Sequence, residues 1–235
     1  MLKNLCPLVA ILILVCGCSG SSGGGGAGGK EKSAKNKEVG FVPLFDGTDL
    51  SGWTYGTDAN GAQRKAGKGY QVRDGALYCT VADGGNLFTE KEYGNFVLRL
   101  DFKLTPGANN GVAIRSPLNG QTAYDGIEIQ VLDDSAEKYA KLRPQQYHGS
   151  VYDVVAAERG HLKPVGEWNS EEITANGRHI TVKLNGATIV DTNLDDVKDE
   201  AKLKKHPGLM RPTGHIGFLG HGADVEFKNV RIKEL

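Results

Sequence analysis

The sequence predicts one all-β domain, an antiparallel sandwich or barrel, over residues 39–235. Two observations indicate this fold class. Beyond Val39 the apolar residues repeat mostly with period two, as in strands that bury one face and leave the other in water. Glycine, asparagine and aspartate interrupt the pattern at short intervals, as turns do in sandwiches and barrels. We find no internal repeat and no second shift in composition, so a single domain is expected.

The strands can be placed from this alternation. The clearest covers residues 96–104, where apolar and polar residues alternate almost throughout. Asn185-Gly186 is a strong hairpin signal because both residues tolerate positive φ. Residues 135–142 and 195–205 are rich in alanine, glutamate and lysine, which predicts two short surface helices. Further strands are predicted at residues 111–115, 127–132, 150–155, 180–184, 188–191, 216–219 and 225–232.

Residues 1–17 resemble a lipoprotein signal peptide. Lys3 gives a positive start, residues 8–15 form an apolar run, and a lipobox-like sequence, Val15-Cys16-Gly17-Cys18, follows. The run is too short to span a bilayer, which takes about 20 apolar residues. We expect cleavage before Cys18 and a lipid on this cysteine, giving an exported, membrane-anchored lipoprotein. An ordinary secretory peptide or an uncleaved anchor is the alternative.

Residues 18–38 have the composition of a flexible tether, first glycine and serine and then charged residues without an apolar period. With Cys6 and Cys16 removed and Cys18 acylated, Cys79 is the one thiol left, so no disulfide is expected in the mature domain. The chain carries 28 basic and 28 acidic residues, a balance that gives no electrostatic footprint for nucleic acid. The lipid anchor is the expected membrane contact.

The predicted strand at residues 127–132 holds the most informative polar pair. Its alternation puts the apolar residues on one face and Glu128 with Gln130 on the other. In a sandwich that second face is the outer one, which is either solvated or a concave groove. Retaining glycosidases use two carboxylates about 5 Å apart. Gln130 occupies the place of the second one and Asp133 would point the other way, so double displacement is disfavoured.

Other candidate residues stand in weaker contexts. Arg115 ends the predicted strand at residues 111–115. His221 lies between glycines that would leave its ring at a rim, suited to proton transfer, although a structural or merely exposed histidine is the alternative. Trp168, followed by Asn169, comes after a turn and could stack on a sugar or belong to the core. The sequence has no zinc-site histidine spacing, phosphate loop, nucleophile elbow or dinucleotide fingerprint.

Seven short motifs follow one another along the domain: residues 45–53 (FDGTDLSGW), 110–115 (NGVAIR), 128–133 (EIQVLD), 149–152 (GSVY), 167–169 (EWN), 184–186 (LNG) and 217–232. Together they resemble the landmarks of the 3-keto-disaccharide hydrolase family. The resemblance implies the fold of concanavalin A-like lectins and glucanases, a two-sheet antiparallel jelly-roll sandwich. The pattern departs from the family at Leu219-Gly220, where many relatives have a polar pair before the histidine.

The resemblance also implies a reaction, cleavage of the glycosidic bond in a sugar already oxidised at C3. A ketone at C3 acidifies the proton on C2, so the group on C1 can leave by elimination and water can add later. This route needs a base, an acid and a partner for the enolate oxygen, but no nucleophile. On this basis Glu128 and His221 are assigned to proton transfer, in either order. Arg115 is placed near the enolate or a sugar hydroxyl, and the groove is lined by Gln130, Tyr152, Trp168 and Asn169.

No cofactor is required by the sequence, and carbohydrate is the expected partner. A divalent metal ion could take the place of Arg115 as enolate stabiliser, with Asp133 and Asp134 as oxygen ligands. The rival from another class of protein is a non-catalytic carbohydrate-binding module displayed on the cell envelope, because this fold serves lectins as readily as enzymes.

Overall fold

The computed structural model describes residues 38–57, 69–80 and 85–235, and in them the alternating segments pair as antiparallel strands. Strand β6 is the segment with the clearest alternation, and its bounds are those expected from the sequence. The strands are β1 (Val42–Pro43), β2 (Trp53–Tyr55), β3 (Tyr70–Arg73), β4 (Ala76–Cys79), β5 (Gly85–Tyr93), β6 (Phe96–Leu104), β7 (Asn109–Ser116), β8 (Ile127–Leu132), β9 (Trp168–Asn176), β10 (His179–Leu184), β11 (Ala187–Asn193), β12 (Gly214–Gly220) and β13 (Val225–Glu234).

These strands form two sheets. The larger sheet has the order β11-β10-β9-β6-β13-β4-β3, with β1 paired to β13 beside this path. The smaller sheet has the order β2-β5-β12-β7-β8. Neighbours pair antiparallel in both sheets, so the predicted two-sheet antiparallel sandwich is confirmed. The Asn185-Gly186 hairpin between β10 and β11 is confirmed as well, with φ of 51° and 91° at its two residues.

The core lies between the sheets and is built from alternate residues of each strand. Phe218 of the smaller sheet stacks on Phe227 of the larger one with 4.1 Å between ring centroids, and Trp53 stacks on Phe218 with 5.5 Å between centroids. Burial of each such side chain stabilises the fold by about 1.5–3 kcal/mol. Cys79 lies in this core as a free thiol.

Residues 144–155, here called the edge segment, run along β8 at the open edge of the smaller sheet. The sequence predicts a strand at residues 150–155, and this prediction is wrong. Val151 makes only isolated bridges, to Ile129 and to Val155. Irregular hydrogen bonds hold the segment in place, including Ser150 O with the N–H of Gln130 at 3.0 Å. The segment therefore covers β8 without extending the sheet.

Helical structure in the described residues is short. It comprises the α-helices α1 (Thr122–Asp125) and α2 (Glu200–Lys205) and single 3₁₀ turns at Glu137–Tyr139, Pro144–Gln146, Leu194–Asp196 and Pro207–Met210. The helix predicted at residues 135–142 is thus reduced to one 3₁₀ turn. The one predicted at 195–205 breaks into a turn and α2, whose backbone is capped by the Asp199 side chain. Among the described residues, no helix has the length and apolarity needed to cross a bilayer.

Six observed strands have no counterpart in the sequence-based prediction, namely β1, β2, β3, β4, β5 and β9. Most are short or carry polar residues on both faces, which weakens the period-two signal. The predicted signal peptide at residues 1–17, the lipid-bearing Cys18 and all but the last residue of the tether at 18–38 lie outside the described residues.

Candidate active site

The outer face of the smaller sheet carries the candidate site. Strand β8 directs Ile127, Ile129 and Val131 into the core, so that Glu128 and Gln130 stand on the opposite face. Both polar residues are nonetheless buried, with 3% and 4% of their surface exposed. A solvated strand face would not bury a carboxylate in this way, since removing such a charge from water costs free energy. The face is therefore covered from outside and is not open solvent-facing sheet.

His221 meets Glu128 on this face. It follows the last residue of β12, and its Nε2 lies 3.7 Å from Oε1 of Glu128. The Glu128 side chain is 3% exposed and the His221 side chain 46%, so solvent reaches the pair from the imidazole side. The distance suits an ion pair and exceeds that of a hydrogen bond, a gap that catalytic pairs commonly close when substrate binds.

The edge segment supplies the wall beside Glu128. The amide Nε2 of Gln130 donates to the carbonyl of Gln146 at 3.3 Å, and Nε2 of Gln146 donates to the hydroxyl of Tyr152 at 3.2 Å. The backbone N–H of Tyr152 donates to the carbonyl of Glu128 at 2.9 Å. Three polar side chains are thus fixed next to the carboxylate.

An apolar patch completes the face. Phe88, Ala113 and Leu219 form a cluster separate from the main core, and Leu118 packs against it. Ala113 is the cross-strand partner of Glu128, so the patch adjoins the carboxylate directly. An apolar floor with a few convergent polar groups is the usual composition of a small-molecule site. Phe88, Ala113 and Leu219 are themselves at most 2% exposed, so the patch backs the carboxylate, and the pair is reached from the exposed imidazole of His221.

Residues 40–233 match the family model described as the 3-keto-alpha-glucoside-1,2-lyase-like domain. The chain belongs to this family. The lyase-like domain is 27% identical over 234 residues to the 3-keto-disaccharide hydrolase of Bacteroides thetaiotaomicron, covering 83% of this chain and 79% of that protein.

Two crystal structures of candidate glycosyl hydrolases from Parabacteroides distasonis share the fold of the lyase-like domain. One is 29% identical with a TM-score of 0.69, covering 83% of this chain and 99% of that one. The other is 28% identical with a TM-score of 0.68, covering 83% and 94%.

Arg115 does not reach the candidate site of the lyase-like domain, which corrects the role expected for it. Its guanidinium is 1% exposed and donates to the carbonyls of Gly94 and Gly177, at 3.0 and 2.7 Å, and to Oδ1 of Asn95 at 3.2 Å. These acceptors belong to the turns before β6 and before β10. Burial lowers the pKa of Arg115 without a carboxylate to offset it. The residue fastens these two turns together, and its burial at 1% exposure keeps the guanidinium away from substrate.

Trp168 and Asn169 also lie away from the groove, contrary to expectation. Trp168 begins β9 and points from the outer face of the larger sheet, where Lys103 and Lys228 place their ammonium groups 5.0 and 3.8 Å from its ring centroid. Glu128 lies on the outer face of the other sheet. Asn169 is buried beneath Trp168, and its Oδ1 accepts hydrogen bonds from Lys163 and Asn185. Both side chains belong to the scaffold.

The carboxylates of Asp133 and Asp134, the oxygen ligands considered for a divalent cation, are engaged in hydrogen bonds within the chain. The carboxylate of Asp133 accepts hydrogen bonds from Ser135 and from the N–H of Gly107, and these outweigh burial and lower its pKa. The Asp134 carboxylate accepts from the N–H of His148, while burial raises its pKa. Within the part of the chain that the structure describes, no group of three His, Cys, Asp or Glu side chains could hold a metal ion. The two aspartates shape the turn after β8.

Sequence reasoning missed Gln146 and the apolar patch. Gln146 lies in the irregular edge segment, where no periodicity marks which side chains face the site. Phe88 is part of β5, whose alternation is interrupted by three consecutive buried residues. The motif GHIGFLGH at residues 214–221 gives a usable signal, because a glycine inside a strand marks a close approach, here that of the Phe88 ring to Gly217.

Proposed function

We propose that this chain cleaves glycosidic bonds in sugars that carry a ketone at C3. The observation that carries the proposal is the contact of 3.7 Å between Glu128 and His221 on one face of the smaller sheet. An acid and a base beside one groove suit proton transfer to and from a single bound sugar. Membership of the lyase-like family and the name of the Bacteroides relative support an oxidised substrate.

The proposed reaction is an elimination followed by hydration. A base takes the acidified proton from C2, and the electrons of the C–H bond form an enolate with the C3 carbonyl. Collapse of the enolate makes a C1–C2 double bond and breaks the C1–O bond, while an acid protonates the departing oxygen. Water then adds its oxygen to C1 and a hydrogen to C2, so the net change is hydrolysis. No protein nucleophile is needed, which fits a strand with the single carboxylate of Glu128 on its outer face.

Glu128 and His221 are the proposed proton carriers. Because they face each other, one can take the proton from C2 while the other gives a proton to the leaving oxygen, and their contact restores both groups afterwards. Tyr152 is the proposed donor to a sugar oxygen. Its hydroxyl accepts a hydrogen bond from Gln146, which leaves its own proton for a ligand. This role replaces the one first assigned to Arg115.

The test compares a 3-keto-glucoside with its unoxidised parent as substrates of the purified domain. We expect turnover of the 3-keto sugar alone, and in D₂O we expect one deuterium at C2 of the released sugar. Glu128→Gln and His221→Ala should each lower kcat by about 100-fold or more, as loss of a positioned acid or base does. Activity is expected to survive dialysis against EDTA, because the scheme uses no cation.

A matched control is available on the surface. His161 and Glu158 form an exposed pair with Nε2 and Oε1 3.2 Å apart, and His161→Ala and Glu158→Gln should leave kcat unchanged. Equal turnover of both sugars, or absence of deuterium at C2, would rule out the elimination. Sugar binding in a calorimeter without product would instead favour a carbohydrate-binding module.

We also propose that the protein is exported and anchored in the cell envelope through a lipid on Cys18. The support is the sequence of residues 1–18, with its positive start, short apolar run and lipobox-like end. Mass spectrometry of the mature amino terminus tests it. A diacylglyceryl-modified Cys18 is expected, and Cys18→Ala should release the protein from membranes. An unmodified first residue at any other position would contradict the anchor.

A further inference from the structure

The contact between Glu128 and His221 spans a strand that contributes to neither residue. Glu128 lies on β8 and His221 follows β12, and β7 runs between these strands. Adjacent strands are about 4.8 Å apart, so the backbones that carry the pair are separated by about 10 Å. The Glu128 side chain lies across the surface of β7, and its carboxylate ends 3.7 Å from the imidazole. Whatever residue β7 presents there decides whether the carboxylate can reach the imidazole.

Gly111 is that residue. A Cβ built on Gly111 would lie 2.2 Å from Oε1 of Glu128 and 2.8 Å from both Cδ and Cγ of the same side chain. All three nearest atoms belong to Glu128, so the space that glycine leaves empty is filled by this one side chain. A Cβ at 2.2 Å from a carboxylate oxygen overlaps it heavily, and the carboxylate would have to swing away.

The backbone gives no other reason for a glycine here. Gly111 is not among the residues with positive φ, so its conformation is open to other amino acids. Glycine inside a strand weakens the sheet because it costs conformational entropy and packs no side chain. Ala113, two residues along β7 on the same face, carries a Cβ without difficulty.

We infer that Gly111 is a positioning residue for the proposed reaction. Because it has no side chain, the Glu128 carboxylate can lie across β7 and face His221. The inference rests on the proposed function for its effect on catalysis, but not for its effect on geometry. Gly111→Ala should lower kcat by about 10- to 100-fold with KM little changed, because a shift of about 1 Å in a catalytic group has this consequence.

The control substitution is Gly94→Ala. Gly94 also has an ordinary φ, and a Cβ there would lie 3.3 Å from the methyl group of Thr213, far from the site. We expect it to retain wild-type kcat. A thermal melt of both variants separates loss of fold from loss of geometry, and a folded Gly111→Ala protein with wild-type kcat would overturn the inference.

A double-mutant cycle tests whether Gly111 acts through Glu128. In a Glu128→Gln background, whose carboxamide has no proton-transfer role, Gly111→Ala should lower kcat by less than about threefold further. The effects of two substitutions are not additive when both act through the same group. A full additional loss would mean that the new methyl group blocks the substrate, and would overturn the positioning role.

A readout without substrate keeps this inference separate from the proposed function. The ¹⁵N signals of the His221 ring at fixed pH should differ between the wild type and Glu128→Gln, because the nearby carboxylate is gone in the variant. Gly111→Ala should reproduce the ring signals of Glu128→Gln, and Gly94→Ala those of the wild type. If the protein has no 3-keto-glucosidase activity but these signals behave as stated, the proposed function fails and the positioning holds. Wild-type ring signals in Gly111→Ala would refute the positioning.

Discussion

The imidazole of His148 faces the carboxyl group of Glu171 in the core between the two sheets, with 3.9 Å between Nε2 and Oε2. Both side chains are fully buried, and neither Glu171 oxygen nor Nε2 of His148 has a hydrogen-bond partner. Burial raises the pKa of Glu171 to about 8 and lowers the pKa of His148 to about 3. At neutral pH both groups are therefore uncharged, and the pair is not a salt bridge.

The pair predicts a stability maximum in mild acid. The unfolded chain ionises Glu171 near pH 4.5, whereas the folded chain keeps its proton up to about pH 8, so stability falls as pH rises through this window. The unfolded chain protonates His148 near pH 6.5, whereas the folded chain does so near pH 3, so stability also falls as pH drops through that window. Urea denaturation from pH 4 to 9 should place the maximum between about pH 4.5 and 6.5. A maximum above pH 8 would contradict this account.

Glu171→Gln isolates the contribution of the carboxyl group. The amide has nearly the same shape and cannot ionise. The free energy of unfolding of the variant should therefore exceed that of the wild type by about 1–3 kcal/mol at pH 8, and it should no longer fall as the pH rises. The neighbouring Glu172 is the control. It points outward and bonds to Arg99 and Lys183, which lower its pKa against the effect of burial. Glu172→Gln should leave the alkaline slope in place and destabilise slightly. An unchanged slope in Glu171→Gln would show that another group titrates.

Arg115 is expected to matter for stability and not for catalysis. Its three hydrogen bonds join the turns at Gly94, Asn95 and Gly177 from three different nitrogens, and the compact ammonium group of a lysine does not reproduce this planar spread of donors. Arg115→Lys should lower the free energy of unfolding by about 2–4 kcal/mol, because buried carbonyls lose their donor. Activity per folded molecule at low temperature should stay within about twofold of wild type.

The control for this substitution is Arg73→Lys, at an exposed arginine that donates to Gln71 and lies over the ring of Tyr78. It should change the free energy of unfolding by less than about 0.5 kcal/mol. A large loss of kcat in folded Arg115→Lys protein, with stability intact, would return Arg115 to the active site.

The part of the site that follows from local alternation could be predicted from the sequence. The period-two pattern of β8 puts Glu128 and Gln130 on the outer face, and the glycines around His221 leave its ring exposed at the rim. What could not be predicted depends on long-range pairing. Trp168 points outward from its strand, but only the pairing of β9 with β6 decides that this outward face belongs to the larger sheet, opposite to Glu128.

Unusual backbone conformations also limited what could be predicted from the sequence. Arg115 ends a regular alternation, yet its φ of 48° bends the chain there, and its side chain leaves the face that the pattern assigns to it. Residues 150–155 contain valines typical of a strand, but Asp153, with φ of 59°, interrupts the extended chain. No sequence signal reliably marks a residue other than glycine whose backbone adopts the left-handed conformation. The edge segment and its Gln146 were therefore beyond prediction.

Substitutions of Tyr152 and Trp168, which lie on opposite faces of the sandwich, should differ in their effect on catalysis. Tyr152→Phe removes the hydroxyl held by Gln146 and should lower kcat on a 3-keto-glucoside by about 100-fold or more, the loss expected for one hydrogen-bond donor to developing charge. Trp168→Ala removes an aromatic ring covered by two lysines on the far face and should leave kcat and KM unchanged. Steady-state kinetics at several substrate concentrations measure both. A larger loss of kcat in Trp168→Ala than in Tyr152→Phe would place the substrate groove on the larger sheet.

Asp153 anchors the edge segment next to Tyr152. Its carboxylate is 4% exposed, accepts a hydrogen bond from Nζ of Lys205 at 2.7 Å and forms an ion pair with Arg143. Burial raises its pKa, but these two cations outweigh burial and lower it. His206 lies 3.7 Å away from the same carboxylate. The segment that carries Tyr152 is thereby fastened to α2.

Asp153→Asn keeps the left-handed backbone, which asparagine tolerates, and removes the charge. The variant should lose about 1–3 kcal/mol of stability, because hydrogen bonds to the buried carboxylate of Asp153 are replaced by weaker ones to a neutral amide. A looser edge segment should also raise KM for the 3-keto-glucoside, since Tyr152 is then less fixed. Asp191→Asn, at an exposed aspartate paired with His179, is the control and should change neither quantity. If Asp153→Asn destabilises the protein but KM stays constant, the edge segment holds its shape without this anchor and Tyr152 is positioned by its hydrogen bonds to Glu128 and Gln146 alone.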